Sequence, residues 1–306
     1  RNPFSLEFTF LILDMRPKAY IIASGPSLLD LTKEEIQHLN HSQYTLSLNC
    51  YLEHWEKIGL LPKCHMMADG QFPTIKMLVN DTRLIQKLGD RITYYISHRY
   101  LSYFPHWMDI SGVKHAFRKR WEIWAQFSYW VPWTISKKNL VPFSQICESN
   151  YSHQADEQGW FWAENLSEPL YFNRGTLSSA INLASIIWPN CDIHLLGVDL
   201  NTYGYFFDPP EGETQMEKLH KINEKRIGKT SAEHHLKSHK TNTHATAVTY
   251  ETEDKQKLPG IQQAFPRISE QLNKSDRSLF CSNPNSLLVE QNILPYTPVI
   301  PKVGKL

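Results

Sequence analysis

Four histidines, His234, His235, His239 and His244, crowd one polar stretch of the chain. A histidine near its ordinary pKa of about 6.5 is the natural general base for drawing a proton from a sugar hydroxyl. His235 and His239 stand four apart, a spacing that also suits two metal ligands on one helical face. No Glu or Cys accompanies them at zinc-protease spacing, so metal binding is the weaker reading, and a histidine cluster on a solvated loop is the competing one. Nearby, Tyr203 and Tyr205 lie beside Asp208, where phenolic hydroxyls could donate hydrogen bonds to a departing phosphate without a metal. The same Tyr-Gly-Tyr-Phe-Phe run also reads as an anchor that packs a loop. Far upstream, Ser24-Gly25-Pro26-Ser27 offers backbone N–H groups and small hydroxyls that can hold a phosphate against a helix start. It lacks both Gly-x-Gly-x-x-Gly and the P-loop Gly-Lys-Ser/Thr, so dinucleotide and Walker-type readings lose support.

These groups need a frame that gathers them. A short apolar run at 18–23 predicts a strand feeding the Ser24 loop, followed by a helix opened by the capping pattern Thr32-x-x-Glu35. Further strands are predicted at 44–48, 64–68, 92–97, 170–173, 192–196 and 278–281, with helices at 52–59, 74–88 and 176–187. Alternation of this kind predicts an α/β fold, a Rossmann-like parallel sheet with helices on both faces. In such a sheet, the residues after each strand share one rim. Asn49, Asp69 and the pair Arg174 and Thr176 follow strands in this way, as do Gly197-Val198-Asp199. Taken singly, Asn49 and Thr176 also read as helix caps and Asp69-Gly70 as a turn.

The expected organisation has three parts. Residues 1–200 form a nucleotide-binding α/β core with an aromatic-rich insertion at about 100–165, and 201–240 form a mobile lid carrying His239 and a polar helical stretch at 214–227. Residues 241–306 complete the core, and the Pro-rich tail at 295–301 wraps the surface. The insertion holds Trp107, Trp121, Trp124, Trp130, Trp133, Trp160 and Trp162, seven of the nine tryptophans. With Lys114, Arg118, Lys119 and Arg120 nearby, it suits an acceptor glycan or a membrane interface, and core packing explains the rings equally well.

Composition narrows the function classes. With 306 residues and 41 % apolar content the chain can fill a substantial core. Its 32 Lys and Arg against 31 Asp and Glu supply no global field that would draw it to nucleic acid or a membrane, so a nucleic-acid role is not expected. The five cysteines are odd in number and never in Cys-x-x-Cys spacing, which fits a reducing cytoplasm rather than a disulfide framework or structural zinc. No apolar run reaches the roughly 18 to 20 residues of a spanning helix, and neither a signal peptide nor an anchor is expected.

Taken in order, these segments resemble the bacterial sialyltransferases that use cytidine-monophosphate sialic acid, the lipooligosaccharide sialyltransferase type. The resemblance spans about 18–288. Ile21-Ile22-Ala23-Ser24-Gly25-Pro26-Ser27-Leu28 resembles the opening nucleotide loop, and Leu48-Asn49-Cys50-Tyr51 the second strand end. Asn173-Arg174-Gly175-Thr176 resembles the edge where donor and acceptor meet, followed by Leu196-Gly197-Val198-Asp199 and Tyr205-Phe206-Phe207-Asp208. The segment from His235 to Thr243 resembles the one that holds the catalytic histidine, and Asn283-Pro284-Asn285-Ser286-Leu287-Leu288 is the nearest match.

The resemblance implies a metal-independent, cofactor-free inverting transfer from a CMP-activated donor to a glycan or glycolipid acceptor. In it His239 is the base, Tyr205 and by rough position Tyr203 stabilise the leaving phosphate, and Arg174 places the acceptor. Ser24, Gly25, Ser27, Asn49, Asp69, Thr176, Asn283 and Ser286 would line the donor. Peripheral contact with the inner membrane and homo-oligomer formation stay open. Three positions depart from the family pattern, with Ser24 and Asp69 where it has Asn and Leu177 where it has Ser. They lean toward a sibling group that includes motility accessory factors and pterin pyrophosphokinase-like proteins; in a pyrophosphokinase, Asp69 and Asp199 would be magnesium ligands. A glycan-binding module without catalysis is the third reading.

Overall fold

The computed structural model describes residues 16–68, 84–85, 87–97, 139–143, 145, 162–202, 204–209, 211–212, 214, 241–251 and 257–301. Seven strands form one sheet: β1 (Lys18–Ile22), β2 (Thr45–Leu48), β3 (Cys64–Met67), β4 (Thr93–Ser97), β5 (Leu140–Phe143), β6 (Asp192–Leu196) and β9 (Leu279–Cys281), in the order β5-β4-β3-β2-β1-β6-β9. Every neighbouring pair is parallel, with Tyr20 opposite Thr45 and His194 in the central registers. β1 is therefore covered on both edges and both faces, which its near-continuous apolar sequence Ala19-Tyr20-Ile21-Ile22 requires. A small antiparallel pair, β7 (Tyr250–Glu251) and β8 (Lys257–Leu258), lies outside this sheet. The fold is an α/β Rossmann-like one, as the alternating pattern predicts.

Helices α1 (Lys33–His41) and α2 (Tyr51–Ile58) precede and follow β2. Thr32 and Glu35 form the predicted capping box, and α1 offers Leu39 to a cluster with Tyr20, Ile22, Tyr51 and Leu196. The alternate residues Ile21, Ile193 and Leu195 join a larger cluster with α3 (Thr176–Ile187) and α4 (Phe265–Asn273). A one-turn helix, α5 (Leu287–Glu290), is capped by the Ser286 hydroxyl.

Two expectations need correction. Residues 170–173 do not form a sheet strand; Leu170 makes only an isolated bridge to Gln145. The backbone there is claimed by side chains of α3: Tyr171 N–H donates to Asn182 Oδ1 at 2.9 Å and Asn173 N–H to Ser178 Oγ at 2.8 Å. Conversely, the stretch 100–165 is not wholly an insertion, because Leu140–Phe143 supplies edge strand β5, and Phe143, Trp162 and Ala163 are buried in the main core. Six of the seven clustered tryptophans, Trp162 being the exception, lie outside the described residues, as does most of the predicted lid, including 215–240. The tail does wrap the molecule: Cys281 N–H donates to Pro295 O, Thr297 N–H to Cys281 O, and Lys18 Nζ reaches Pro298 O. This covers the outer edge of β9. Among the described residues, no helix is long and apolar enough to cross a membrane.

Candidate functional site

The chain leaves β1 on one side toward β2 and returns on the other side as β6, so the sheet reverses its winding between β1 and β6. Outside the carboxyl ends of such a pair the loops diverge, and open α/β sheets bind ligands there. In this protein the two loops are tied together. Gly25 N–H donates to Gly197 O at 2.8 Å. Ser27 gives its N–H to Asp199 Oδ2 at 3.0 Å and its hydroxyl to Oδ1, and Asn283 Nδ2 donates to Oδ1 at 2.7 Å. The Asp199 carbonyl then accepts the Leu287 N–H at 2.9 Å, and the Ser286 hydroxyl donates to Val198 O at 2.6 Å. One buried carboxylate thus fixes the ends of β1, β6 and β9 to one another. Gly25 is required for this approach, because a Cβ there would collide with the Asp199 carboxylate and lie 2.6 Å from the Gly197 carbonyl.

On the opposite face of the rim, Asn49 takes the left-handed conformation at φ +44° and donates through Nδ2 to Thr176 Oγ1 at 3.0 Å. Its Oδ1 accepts from Ala68 N–H at 3.4 Å, so the ends of β2 and β3 are joined to the first residue of α3. Gly175 caps α3 without a side-chain hydrogen bond. The helix thus presents the positive end of its dipole toward the rim. Arg174, at φ +57°, donates through Nη2 to Val248 O at 2.8 Å. Gly175 has φ +149°, and a Cβ on it would lie 3.2 Å from Thr246 Cγ2. Glycine serves here both for the backbone angle and for the close passage of the segment around 244–248.

That segment also meets the loop after β6. His244 N–H donates to Leu200 O at 3.0 Å, with Leu200 at φ +62°. The His244 ring stands edge-on to Tyr205 at 5.9 Å between centroids, and Tyr205 stacks on Phe207 at 5.1 Å, which in turn stacks on His54 of α2 at 4.2 Å. The loop is held by Phe206 N–H to Ser24 O at 3.0 Å, Tyr205 N–H to Asp208 Oδ2 at 2.7 Å and Lys57 Nζ to Phe207 O at 3.0 Å. Burial lowers the His244 pKa to about 4, against the opposing pull of the Asp199 charge, so the imidazole is neutral.

Of the residues expected at the site, the structure gathers Ser24, Gly25, Ser27, Asn49, Arg174, Thr176, Tyr205, Asn283 and Ser286 around the carboxyl ends of β1, β2, β6 and β9. Several hold each other: Ser27 and Asn283 serve Asp199, Asn49 serves Thr176, and the buried Ser286 serves Val198 and caps α5. Asp69, Tyr203 and His239 lie outside the described residues. Sequence reasoning did not foresee Asp199 as a lock, nor His244 and His54 as parts of one aromatic stack. The glycine two residues before Ser27 and the strand-end Gly-Val-Asp were the available signals for the lock. Among the described residues no group of three or more His, Cys, Asp or Glu could hold a metal ion. No protein-family model matches the chain, and no curated protein matches it in sequence.

Proposed function

We propose that this protein is an inverting glycosyltransferase that moves sialic acid or a related nonulosonic sugar from a CMP-activated donor to the hydroxyl of a glycan or glycolipid. His239 takes the acceptor proton as the new glycosidic bond forms, and the C–O bond to the nucleotide phosphate breaks, with Tyr205 and Tyr203 donating hydrogen bonds to the departing phosphate. The observation that carries this reading is the hydrogen bond from His244 N–H to Leu200 O. It pins the chain five residues after His239 to the rim, and five residues span at most about 17 Å. A base five residues before that anchor suits a reaction at the loops after β1 and β6. The uncapped start of α3 and the Arg174 charge make the same rim favourable for a phosphate or a sugar carboxylate.

The pyrophosphokinase reading is weaker. It makes Asp199 a magnesium ligand, yet both oxygens of that carboxylate already accept hydrogen bonds from Ser27 and Asn283, donors that a cation would have to displace. Reaction on a cell-surface glycan precursor places the enzyme in the cytoplasm, peripheral to the inner membrane. Calorimetric titration with CMP, UDP and ATP, with and without magnesium, tests the proposal. CMP binding independent of magnesium, with His239→Ala keeping that binding and losing transfer, is expected; magnesium-dependent ATP binding in its place overturns it.

A further inference from the structure

His244 has a fixed tautomer. Its Nδ1 lies 2.8 Å from Thr246 Oγ1 and 3.3 Å from Thr246 N. A backbone N–H can only donate, so Nδ1 is the acceptor and the proton of the neutral ring sits on Nε2. The ring is held at the backbone too, with His244 N–H on Leu200 O and His244 O accepting from Ala247 N–H at 2.9 Å. Nε2 has no hydrogen-bond partner among the described residues, while the ring leans on Tyr205. Thr246, which orients the ring, lies against Gly175 at the start of α3. A rigid N–H donor thus stands beside the Tyr205 ring, oriented by a threonine that lies against the start of α3, with no acceptor for it among the described residues.

Resting on the nucleotide-sugar reading of this rim, we propose that His244 is a phosphate-binding residue whose Nε2–H donates to an oxygen of the nucleotide phosphate beside Tyr205. A neutral donor suits the place. It stabilises negative charge arriving on the phosphate without forming an ion pair with Asp199, and it needs no proton transfer to do so.

Calorimetry with CMP and with cytidine, on the full chain, tests the assignment. His244→Ala should weaken CMP binding by roughly tenfold or more and leave cytidine binding unchanged, as expected for a lost hydrogen bond to a charged group. His244→Gln, whose side-chain amide can place an N–H near the Nε2 position, should restore most of the CMP affinity and serves as the folded reference if the alanine variant is unstable. Equal losses for CMP and cytidine, no loss for CMP, or no rescue by Gln overturns the assignment. Failure of the unsubstituted protein to bind CMP brings down the nucleotide reading itself, whereas CMP binding that His244→Ala leaves intact brings down this inference alone.

Discussion

Asp199 shows how a single carboxylate can organise the rim where several strands end. Its oxygens accept from the Ser27 N–H and hydroxyl and from the Asn283 amide, so the loops after β1, β6 and β9 share one buried charge. Asp199→Asn keeps the shape but turns one acceptor into a donor that faces other donors. The expected cost is about 3 kcal/mol, typical of losing hydrogen bonds to a buried charge, read as a lowered urea midpoint. Nucleotide affinity should fall with it, because Ser24 and Gly25 lose their fixed position. A loss of unfolding free energy below about 0.5 kcal/mol would mean that the lock is not formed. At this scale the sequence spoke clearly about residue types and poorly about partners. Ser27, Asn283 and Ser286 stand near the rim as expected, but a sequence cannot say whether a hydroxyl there faces a ligand or a neighbouring carboxylate. That choice depends on how closely two loops approach, which only the absence of a Cβ at Gly25 hinted at.

At the scale of elements, α3 does two jobs, and its sequence explains both. One end begins at Gly175 and supports the rim. Further along, Asn182 and Ser178 stand in for a missing strand: Asn182 accepts from the backbone N–H of Ala163 and Tyr171 and donates to Ala163 O at 2.8 Å. Asn182→Ala should leave three backbone groups without partners in the core and destabilise the protein by about 3 kcal/mol, measurable by chemical denaturation. Asn182→Asp, which keeps only the acceptor side, should recover part of this. The buried parallel strands were legible because runs such as 19–22 are apolar on both faces. The stretch 170–173 looked like another strand because its apolar residues are indeed buried, yet its backbone is served by side chains. Strand β5 was hidden by Pro142, which a central strand cannot tolerate and an edge strand can, and by its place amid a tryptophan-rich sequence.

The whole molecule carries an acid-sensitive core. Burial lowers the pKa of His65 to about 3, and burial with the Lys18 charge lowers that of His194 to about 3. Both rings lie inside the sheet layers, His65 with Nδ1 2.7 Å from Ser47 Oγ and His194 stacked on Phe280 at 4.9 Å. The native state keeps these histidines neutral, while the unfolded chain protonates them below pH 6.5. Their contribution is therefore complete above pH 6.5 and is lost as pH falls toward 3. Between pH 7.5 and 5.0 the unfolding free energy should drop by about 2 kcal/mol for each buried histidine, and a flat profile would show that the rings are exposed or paired. The proposal that the strand-end rim binds a nucleotide is tested most directly by hydrogen–deuterium exchange with and without CMP. The account predicts that CMP slows exchange at 24–28, 174–178 and 241–248 while the amino ends of the strands stay unchanged. Protection confined to other surfaces, or none at saturating CMP, would contradict it.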